Sequence, residues 1–342
     1  MRFKDPKELF KKTDPFKIFY MLLTLLVAGM ILYGLYLVIR STEIKKVSLD
    51  TLSSMSLKTE EIKVEVATEP PPALETIDYP TGAASAKRFD KSIKSKYSVL
   101  LDVENNVVMA QRDAEQRMFP ASMTKVMTLI VAVENMNSLS DTFTMTADIL
   151  SPLYDASASL AGFQEGETVS MKDLLYGAIL PSGADATAAI AIKIAGSEED
   201  FVKMMNEKAE VLGLHDTHFT NTSGLHDEDH YTTALDMAVI LNYAIKDDLC
   251  REVLSTYQYT TAKTQQHPDG IPLESTLFSR MYGDEVKGVQ IEGGKTGYTD
   301  EAQHTTCAFA EKDGREYIAV IADADDRWTS VFDLFDIYEK YL

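Results

Sequence analysis

Residues 120–125 are Pro120-Ala121-Ser122-Met123-Thr124-Lys125, and a predicted helix begins within them. The apolar residues of this helix recur at helical spacing and are Val126, Met127, Leu129, Ile130 and Val133. Because residues three apart share a helix face, Ser122 and Lys125 are expected to lie side by side. A serine in the first turn also has a backbone N–H without a helical partner, where the helix dipole favours negative charge. The stretch suits a serine nucleophile with lysine as its base, if burial and a neighbouring cation lower the lysine pKa.

Two other motifs bear on this interpretation, since an N-cap serine before an exposed lysine would explain residues 122–125 equally well. Ser182 lies in Leu180-Pro181-Ser182-Gly183-Ala184-Asp185-Ala186, on a turn between two helical patterns. Its structural interpretation is a helix cap bonded near Asp185. Lys295 lies in Gly293-Gly294-Lys295-Thr296-Gly297-Tyr298-Thr299, where Lys295 and Thr296 offer a cation and a hydroxyl to a substrate carboxylate. The structural alternative there is a glycine-rich hairpin with a solvated lysine.

Strand patterns lie at both ends of the globular region, and helical patterns lie between them. Strands are predicted at 97–103, 107–110, 285–291, 304–310 and 316–322. Helices are predicted at 123–136, 171–179, 184–195, 199–212 and 235–244, with a last helix around 331–342. This order predicts that the two ends of the domain meet in one antiparallel sheet. The expected fold class is α/β, an antiparallel sheet flanked by helices with a helical subdomain.

The N-terminal region has the pattern of a membrane anchor. Residues 18–39 contain no charged side chain, and 22 residues at ~1.5 Å each can cross ~30 Å of hydrocarbon. Six Lys/Arg precede this stretch and three follow it by residue 46, which places residues 1–17 in the cytoplasm and the rest outside. A cleaved signal peptide is the rival interpretation, although the apolar stretch is long and no A-x-A-like site follows it. Residues 40–90 are predicted to be an extracytoplasmic linker and residues 91–342 the catalytic domain, which locates the protein at the cell membrane.

Composition and motifs argue against several partners. The formal charge of −20 repels a phosphate backbone, so nucleic acid is not an expected partner. The two cysteines, Cys250 and Cys307, lie in apolar contexts and are expected to be buried rather than bonded. Asp227 and Asp229 between His226 and His230 could be the ligands of a zinc peptidase, but the H-E-x-x-H pattern is missing. A Ser-His-Asp hydrolase with a G-x-S-x-G turn is not indicated either.

In the order S-x-x-K, S-x-x and K-T-G, the three motifs resemble the active-site set of penicillin-binding proteins and serine β-lactamases. The resemblance is closest to the D-alanyl-D-alanine carboxypeptidases of peptidase family S11. It extends over about residues 98–324 and includes the supporting stretches 219–225 and 230–236. The fold implied is β-lactamase/transpeptidase-like. The implied activity is removal of the terminal D-alanine from peptidoglycan stem peptides that end in D-Ala-D-Ala, through an acyl-serine that β-lactams also form.

The resemblance implies a role for each residue of the motifs. Ser122 would be the nucleophile, Lys125 its base, and Ser182 a relay of protons to the leaving amine. In the third motif, Lys295 and Thr296 would hold the terminal carboxylate of the substrate.

Further along that motif, the substrate would lie against Gly297 and Tyr298, and the N–H groups of Ser122 and Tyr298 would form the oxyanion hole. Neither a cofactor nor a metal is implied.

One residue departs from the family pattern. The middle motif usually reads Ser-x-Asn, and its third position here is Ala184. The amide of that Asn would contact the substrate backbone and the base lysine, so its loss bears on substrate anchoring and deacylation. A serine β-lactamase and a non-hydrolytic wall-binding or sensory module therefore remain as alternatives.

Overall fold

The computed structural model describes residues 78–283 and 285–342. The predicted cytoplasmic residues 1–17, the predicted transmembrane helix 18–39 and most of the predicted linker lie outside this part. Within the described ranges, no helix is both long and apolar enough to cross a membrane.

The described part contains ten strands and nine α-helices. The strands are β1 (Lys87–Arg88), β2 (Tyr97–Asp102), β3 (Val107–Arg112), β4 (Thr142–Thr144), β5 (Thr168–Ser170), β6 (Gln258–Thr260), β7 (Pro272–Glu274), β8 (Gln290–Thr299), β9 (Gln303–Lys312) and β10 (Arg315–Ala324). The helices are α1 (Thr124–Asn135), α2 (Ala147–Asp155), α3 (Met171–Ile179), α4 (Ala184–Ala195), α5 (Glu198–Val211), α6 (Ala234–Ala244), α7 (Asp248–Ser255), α8 (Thr276–Met281) and α9 (Arg327–Tyr341).

Six strands form the main sheet, in the order β1-β3-β2-β10-β9-β8. The two ends of the domain meet in this sheet as predicted, because β2 pairs antiparallel with β10 and places Leu101 opposite Ile318. The prediction of a purely antiparallel sheet is wrong at one edge, where β1 runs parallel to β3. A strand of two exposed residues has no periodicity to read, and its direction depends on where the preceding chain enters.

Residues 78–90, at the end of the predicted linker, contact the folded domain. Thr81 forms an isolated parallel bridge with Val107, and the side chain of Phe89 is 4% exposed. Tyr79 donates a hydrogen bond of 2.6 Å to Asp236, in the first turn of α6.

Both faces of the sheet are covered by helices, so each central strand is buried on both sides. Along β2, Val99 and Leu101 belong to the large core between the sheet and the helical region, while Leu100 belongs to a second core under α9. The helix α6 lies on the first face, and every one of its residues is buried. A helix that is apolar on all sides is stable only in such an enclosed position.

Most predicted helices are confirmed, and one strand is misplaced. The bounds of α3 and α4 are those expected. Those of α1 and α5 differ by one residue at each end, and α6 begins one residue earlier than expected. A strand was predicted at 285–291 with the K-T-G motif after it, whereas β8 spans Gln290–Thr299 and contains the motif. Glycine weakens a strand and interrupts its apolar alternation. The three glycines of this segment therefore remove the sequence pattern of a strand that tertiary contacts stabilise. The short helices α2, α7 and α8 and the small strands β4 to β7 were not predicted.

The helix α9 is tied to the start of β2 by a buried carboxylate. Asp333 is 3% exposed. It accepts hydrogen bonds from the backbone N–H groups of Lys94 and Ser95, at 2.9 and 2.6 Å, and from the Ser95 hydroxyl. Three donors therefore converge on one carboxylate oxygen.

Replacing Asp333 with Asn should destabilise the protein, because an amide cannot replace an ionised carboxylate toward three donors. We expect a loss of about 1–3 kcal/mol in the free energy of unfolding, measured by urea unfolding of the full chain. Asp336→Asn on the same helix is the matched control, since Asp336 pairs with Lys340 at a partly exposed position. Its expected cost is less than about 1 kcal/mol. Equal losses for the two variants would contradict this account of α9.

Candidate active site

Ser122 and Lys125 lie together where the helix α1 begins. Ser122 is in a 3₁₀ turn, Ala121–Met123, and Lys125 is in the first turn of α1. The Lys125 Nζ atom is 2.9 Å from Ser122 Oγ and donates a hydrogen bond of 2.6 Å to the carbonyl oxygen of Ser223. Lys125 is only 2% exposed, and burial lowers its pKa to about 7, while the nearby carboxylate of Asp185 opposes this shift. A large fraction of the Lys125 side chains is therefore neutral near pH 7, as a general base requires.

The turn at Ser122 is held by close backbone approach from two sides. Ala121 has φ of 46°, a left-handed conformation that costs an L-residue about 1–3 kcal/mol. Gly224 lies against it, because a Cβ atom there would be 1.8 Å from the Ala121 carbonyl oxygen. On the other side, a Cβ atom at Gly297 of β8 would be 2.8 Å from the Ser122 nitrogen. Glycine at both positions lets two backbone segments reach the nucleophile.

Ser182 and Lys295 form a second serine–lysine pair. Ser182 lies on the turn between α3 and α4 with φ of 69°, and its Oγ is 2.9 Å from Lys295 Nζ. Lys295 also donates to the carbonyl oxygen of Thr296 at 2.8 Å and is 1% exposed. Burial, assisted by the charge of Lys125, lowers the pKa of Lys295 well below its usual range. The amine of Lys295 is thus buried beneath Ser182 and contacts its hydroxyl.

The carbonyl group that holds Lys125 is itself held by a small polar network. Asn221 Oδ1 accepts hydrogen bonds from the N–H groups of Ser223 and Gly224, at 3.1 and 2.7 Å. Glu198, in the first turn of α5, accepts from the N–H and the hydroxyl of Thr222 at 3.0 and 2.7 Å. These bonds fix the direction of the Ser223 carbonyl group.

His230 lies beside α1 and links it to the stretch around Thr220. Its Nδ1 accepts a hydrogen bond from the Thr220 N–H at 3.1 Å, and its Nε2 is 2.8 Å from Thr124 Oγ1. Burial lowers its pKa to about 4, so the imidazole is neutral near pH 7 and Nε2 carries the proton. The sequence suggested His226, Asp227, Asp229 and His230 as alternative metal ligands. No group of three or more potential ligand side chains occurs in the described ranges.

A cavity of about 360 Å³ opens over Ser122 and contains several cationic or polar groups. Arg280 of α8 and Arg327 of α9 line it together with Thr296. Arg280 Nη1 is buried and has no hydrogen-bond partner among the described residues. Burial, followed by the charge of Arg327, lowers the pKa of Arg280 below its usual range. Two guanidinium groups and a hydroxyl are a donor set that suits a carboxylate.

Residues 157–159 and Ala184 also line the cavity. Ala184 is 2% exposed and lies in the first turn of α4, where the family pattern usually has Asn. Its N–H donates a hydrogen bond of 2.8 Å to the carbonyl oxygen of Ser159.

The structure brings the predicted site residues together. Six of the seven line the cavity: Ser122, Lys125, Ser182, Thr296, Gly297 and Tyr298. The seventh, Lys295, contacts it through Ser182. Five further residues line the cavity, and no motif of the sequence predicts a role for them: Ser223, Thr276, Arg280, His304 and Arg327. The stretch 219–225 was noticed as a resemblance, but neither arginine belongs to a motif that could have signalled its role.

Comparisons with known proteins agree with this site. Residues 82–326 match the family model of peptidase S11, D-alanyl-D-alanine carboxypeptidase. The chain is 33% identical over 239 residues to D-alanyl-D-alanine carboxypeptidase DacF of Bacillus subtilis, which covers 68% of this chain and 58% of DacF. It is 33% identical over 238 residues to DacD of Escherichia coli, covering 66% and 58% of the two chains. The match thus spans 58% of the length of each of these relatives.

Solved structures of the same type have a similar fold. The Streptomyces K15 DD-transpeptidase superposes with a TM-score of 0.66 at 26% identity, covering 78% of this chain and all of that one. Penicillin binding protein 5 from Haemophilus influenzae superposes with a TM-score of 0.65 at 27% identity, covering 72% and 70%. Both the transpeptidase-type fold and the family model therefore agree with the paired serines and lysines of the cavity, and the chain belongs to the D-alanyl-D-alanine carboxypeptidase family, peptidase S11.

Proposed function

We propose that this protein is a serine-type D-Ala-D-Ala carboxypeptidase that removes the terminal D-alanine from peptidoglycan stem peptides and is acylated by β-lactams. The observation that carries the proposal is the contact of 2.9 Å between Lys125 Nζ and Ser122 Oγ inside a buried environment. A buried amine that is partly neutral near pH 7 can take the hydroxyl proton as the serine oxygen attacks.

Acylation then follows from the positions of the two serine–lysine pairs. Ser122 Oγ attacks the carbonyl carbon of the penultimate D-Ala while Lys125 accepts its proton. The peptide N–H groups beside Ser122 and at Tyr298 would stabilise the oxyanion, since Gly297 brings β8 into contact with the Ser122 backbone. Ser182, whose hydroxyl contacts Lys295, passes its proton to the leaving amine of D-alanine. The proton that Lys125 took from Ser122 replaces the one that Ser182 gave up, so Lys125 is neutral again. The C–N bond breaks, and an ester of Ser122 remains.

Water completes the cycle by attacking the ester carbonyl carbon while Lys125 accepts its proton. The bond between the acyl carbon and Ser122 Oγ then breaks, the proton returns from Lys125 to Ser122 Oγ, and the shortened peptide leaves as a carboxylic acid. The terminal carboxylate of the peptide is held during acylation by the cations of the pocket. Thr296, Arg280 and Arg327 lie on the pocket surface, and Lys295 lies behind them in contact with Ser182. An exposed arginine would gain little from such a contact, but Arg280 Nη1 is already buried without a partner in the described part of the chain.

The activity is tested by D-alanine release from a pentapeptide ending in D-Ala-D-Ala, together with covalent labelling by a fluorescent penicillin. Wild type should do both, and Ser122→Ala should do neither. Lys125→Ala should slow acylation by about 10²–10⁴-fold without unfolding the domain. A peptide amidated at its C-terminus should react much more slowly in the wild type, because the pocket cations lose their carboxylate.

Three results would redirect the assignment. Labelling of Lys125→Ala at the wild-type rate would remove Lys125 as the base. Rapid turnover of penicillin instead of a persistent adduct would indicate a β-lactamase. Absence of D-alanine release by the wild type would favour a wall-binding or sensory module.

The pH dependence of acylation reports on Lys125 directly. Its pKa is lowered to about 7, and only the neutral amine can accept a proton, so the rate constant should rise with pH and level off above about pH 8. Below the pKa it should fall about tenfold per pH unit. The measurement is the second-order rate constant of penicillin labelling between about pH 5 and pH 9. A rate that is flat over this range, or that rises only near the pKa of an ordinary lysine, would contradict the assignment.

We further propose that residues 18–39 anchor the protein in the cell membrane, with residues 1–17 in the cytoplasm and the catalytic domain outside. The uncharged stretch and the distribution of Lys/Arg around it support this arrangement.

The anchor is tested by fractionation of cells that express the full chain. The protein should sediment with membranes, resist extraction by salt and be released by detergent. Protease added outside spheroplasts should digest the catalytic domain. A mature protein whose N-terminus is found after residue 39 would instead identify a cleaved signal peptide.

A further inference from the structure

Asp185 is a completely buried charged residue for which the proposed reaction has no use. It follows Ala184 in the first turn of α4 and is 0% exposed. Burial raises its pKa, and four backbone N–H groups oppose that rise. Burial of a carboxylate without hydrogen-bond donors is very costly. The four donors around Asp185 offset this cost.

Three of these donors come from a segment that is distant in sequence. Asp185 Oδ1 accepts from the N–H of Ala161 at 2.8 Å, and Oδ2 accepts from Gly162 and Phe163 at 3.0 and 3.2 Å. The fourth donor is the N–H of Ala186, at 3.0 Å from Oδ1. One carboxylate thus satisfies three successive N–H groups of an irregular segment.

The segment held in this way continues directly into the active site. Residues 157–159 line the catalytic cavity, and the side chains of Ser157 and Ser159 are exposed there. The segment is also fixed by the Ala184 N–H bond to Ser159 and by Phe163, which is 1% exposed. The Phe163 ring packs tightly against α3, because a Cβ atom at Gly177 would be only 2.9 Å from the ring.

Asp185 also acts on the base of the proposed reaction. Its charge favours the protonated form of Lys125 and so opposes the effect of burial. The other ionisable groups whose charges interact with Lys125 are Lys295 on β8 and His230, which is neutral near pH 7. Asp185 is therefore the anionic group among these neighbours.

We propose that Asp185 is a positioning residue: its carboxylate holds residues 157–163 in place as one wall of the catalytic cavity. The kinetic part of this inference rests on the proposed function, while the structural part does not. In a chain whose middle motif has Ala184 instead of Asn, the wall is fixed to α4 by backbone N–H groups and Asp185.

The test compares Asp185→Asn with Asp333→Asn in the full chain. Both residues are buried aspartates that accept backbone N–H bonds, but Asp333 lies on α9 and does not line the cavity. In Asp185→Asn, the rate constant of penicillin acylation should fall by about tenfold or more. The midpoint of its pH profile should move down by about half a unit or more, because loss of the anion favours neutral Lys125. In Asp333→Asn, both should stay at wild-type values below the unfolding temperature.

A second variant distinguishes the effect of the Asp185 charge from the effect of its hydrogen bonds. It also provides the test if Asp185→Asn does not fold. Asp185→Glu keeps the charge but its longer side chain cannot keep all four bonds, so the pH midpoint should stay while the rate constant falls. A wild-type rate constant in this variant would overturn the role of the wall. An Asp185→Asn protein with the rate and pH profile of Asp333→Asn would show that Asp185 is only structural.

Hydrogen exchange supplies a readout that does not depend on activity. The amides of Ala161, Gly162 and Phe163 should exchange faster in Asp185→Asn than in wild type or in Asp333→Asn. Unchanged exchange would overturn the proposal even if the protein is a carboxypeptidase. If wild type is not labelled by penicillin, the proposed function fails, but faster exchange at these amides still supports the structural part.

Discussion

The burial of the Lys125 amine is the constraint on which the rest of the site depends. An exposed lysine is almost entirely protonated near pH 7 and cannot act as a base. Here the side chain is 2% exposed, and its Nζ lies between Ser122 Oγ and the Ser223 carbonyl oxygen. Desolvation disfavours the charged form and brings the pKa to about 7, while Asp185 limits the shift. The fold therefore has to enclose an amine completely and still leave the neighbouring hydroxyl open to a peptide.

The fold meets this requirement by bringing three remote segments against one turn. The helix α6 packs against α1, β8 contacts the 3₁₀ turn that carries Ser122, and Gly224 lies against Ala121 in the same turn. Glycines at 224 and 297 allow backbone contact where any side chain would collide with Ala121 or Ser122. The left-handed conformation of Ala121 persists because these contacts over-determine it. Strain at the nucleophile is thus maintained by packing that extends through the whole domain.

The four basic side chains of the site differ in charge state, because the two lysines are buried and the two arginines line the cavity. Lys295 is buried behind Ser182, and burial, assisted by the charge of Lys125, lowers its pKa well below the usual range of a lysine. The positive charge that lines the cavity comes instead from Arg280 and Arg327, whose guanidinium groups stay protonated in proteins. A neutral or partly neutral pair of amines can move protons, and a permanent pair of cations can hold a carboxylate. This division of roles follows from burial, since the four side chains are all basic.

The sequence alone predicted the Ser122–Lys125 pair, the helical core, the meeting of the two chain ends and the family, because the motifs and elements concerned are short and regularly spaced. Ser122 and Lys125 are three residues apart, and the helices α3 and α4 begin and end where their apolar patterns do. Only the tertiary structure decided the rest. The direction of β1, the extent of β8 and the roles of Arg280 and Asp185 depend on contacts between segments far apart in the chain. A single arginine or aspartate outside a motif or periodic pattern gives no indication of its partners. Those partners are known only from the folded structure.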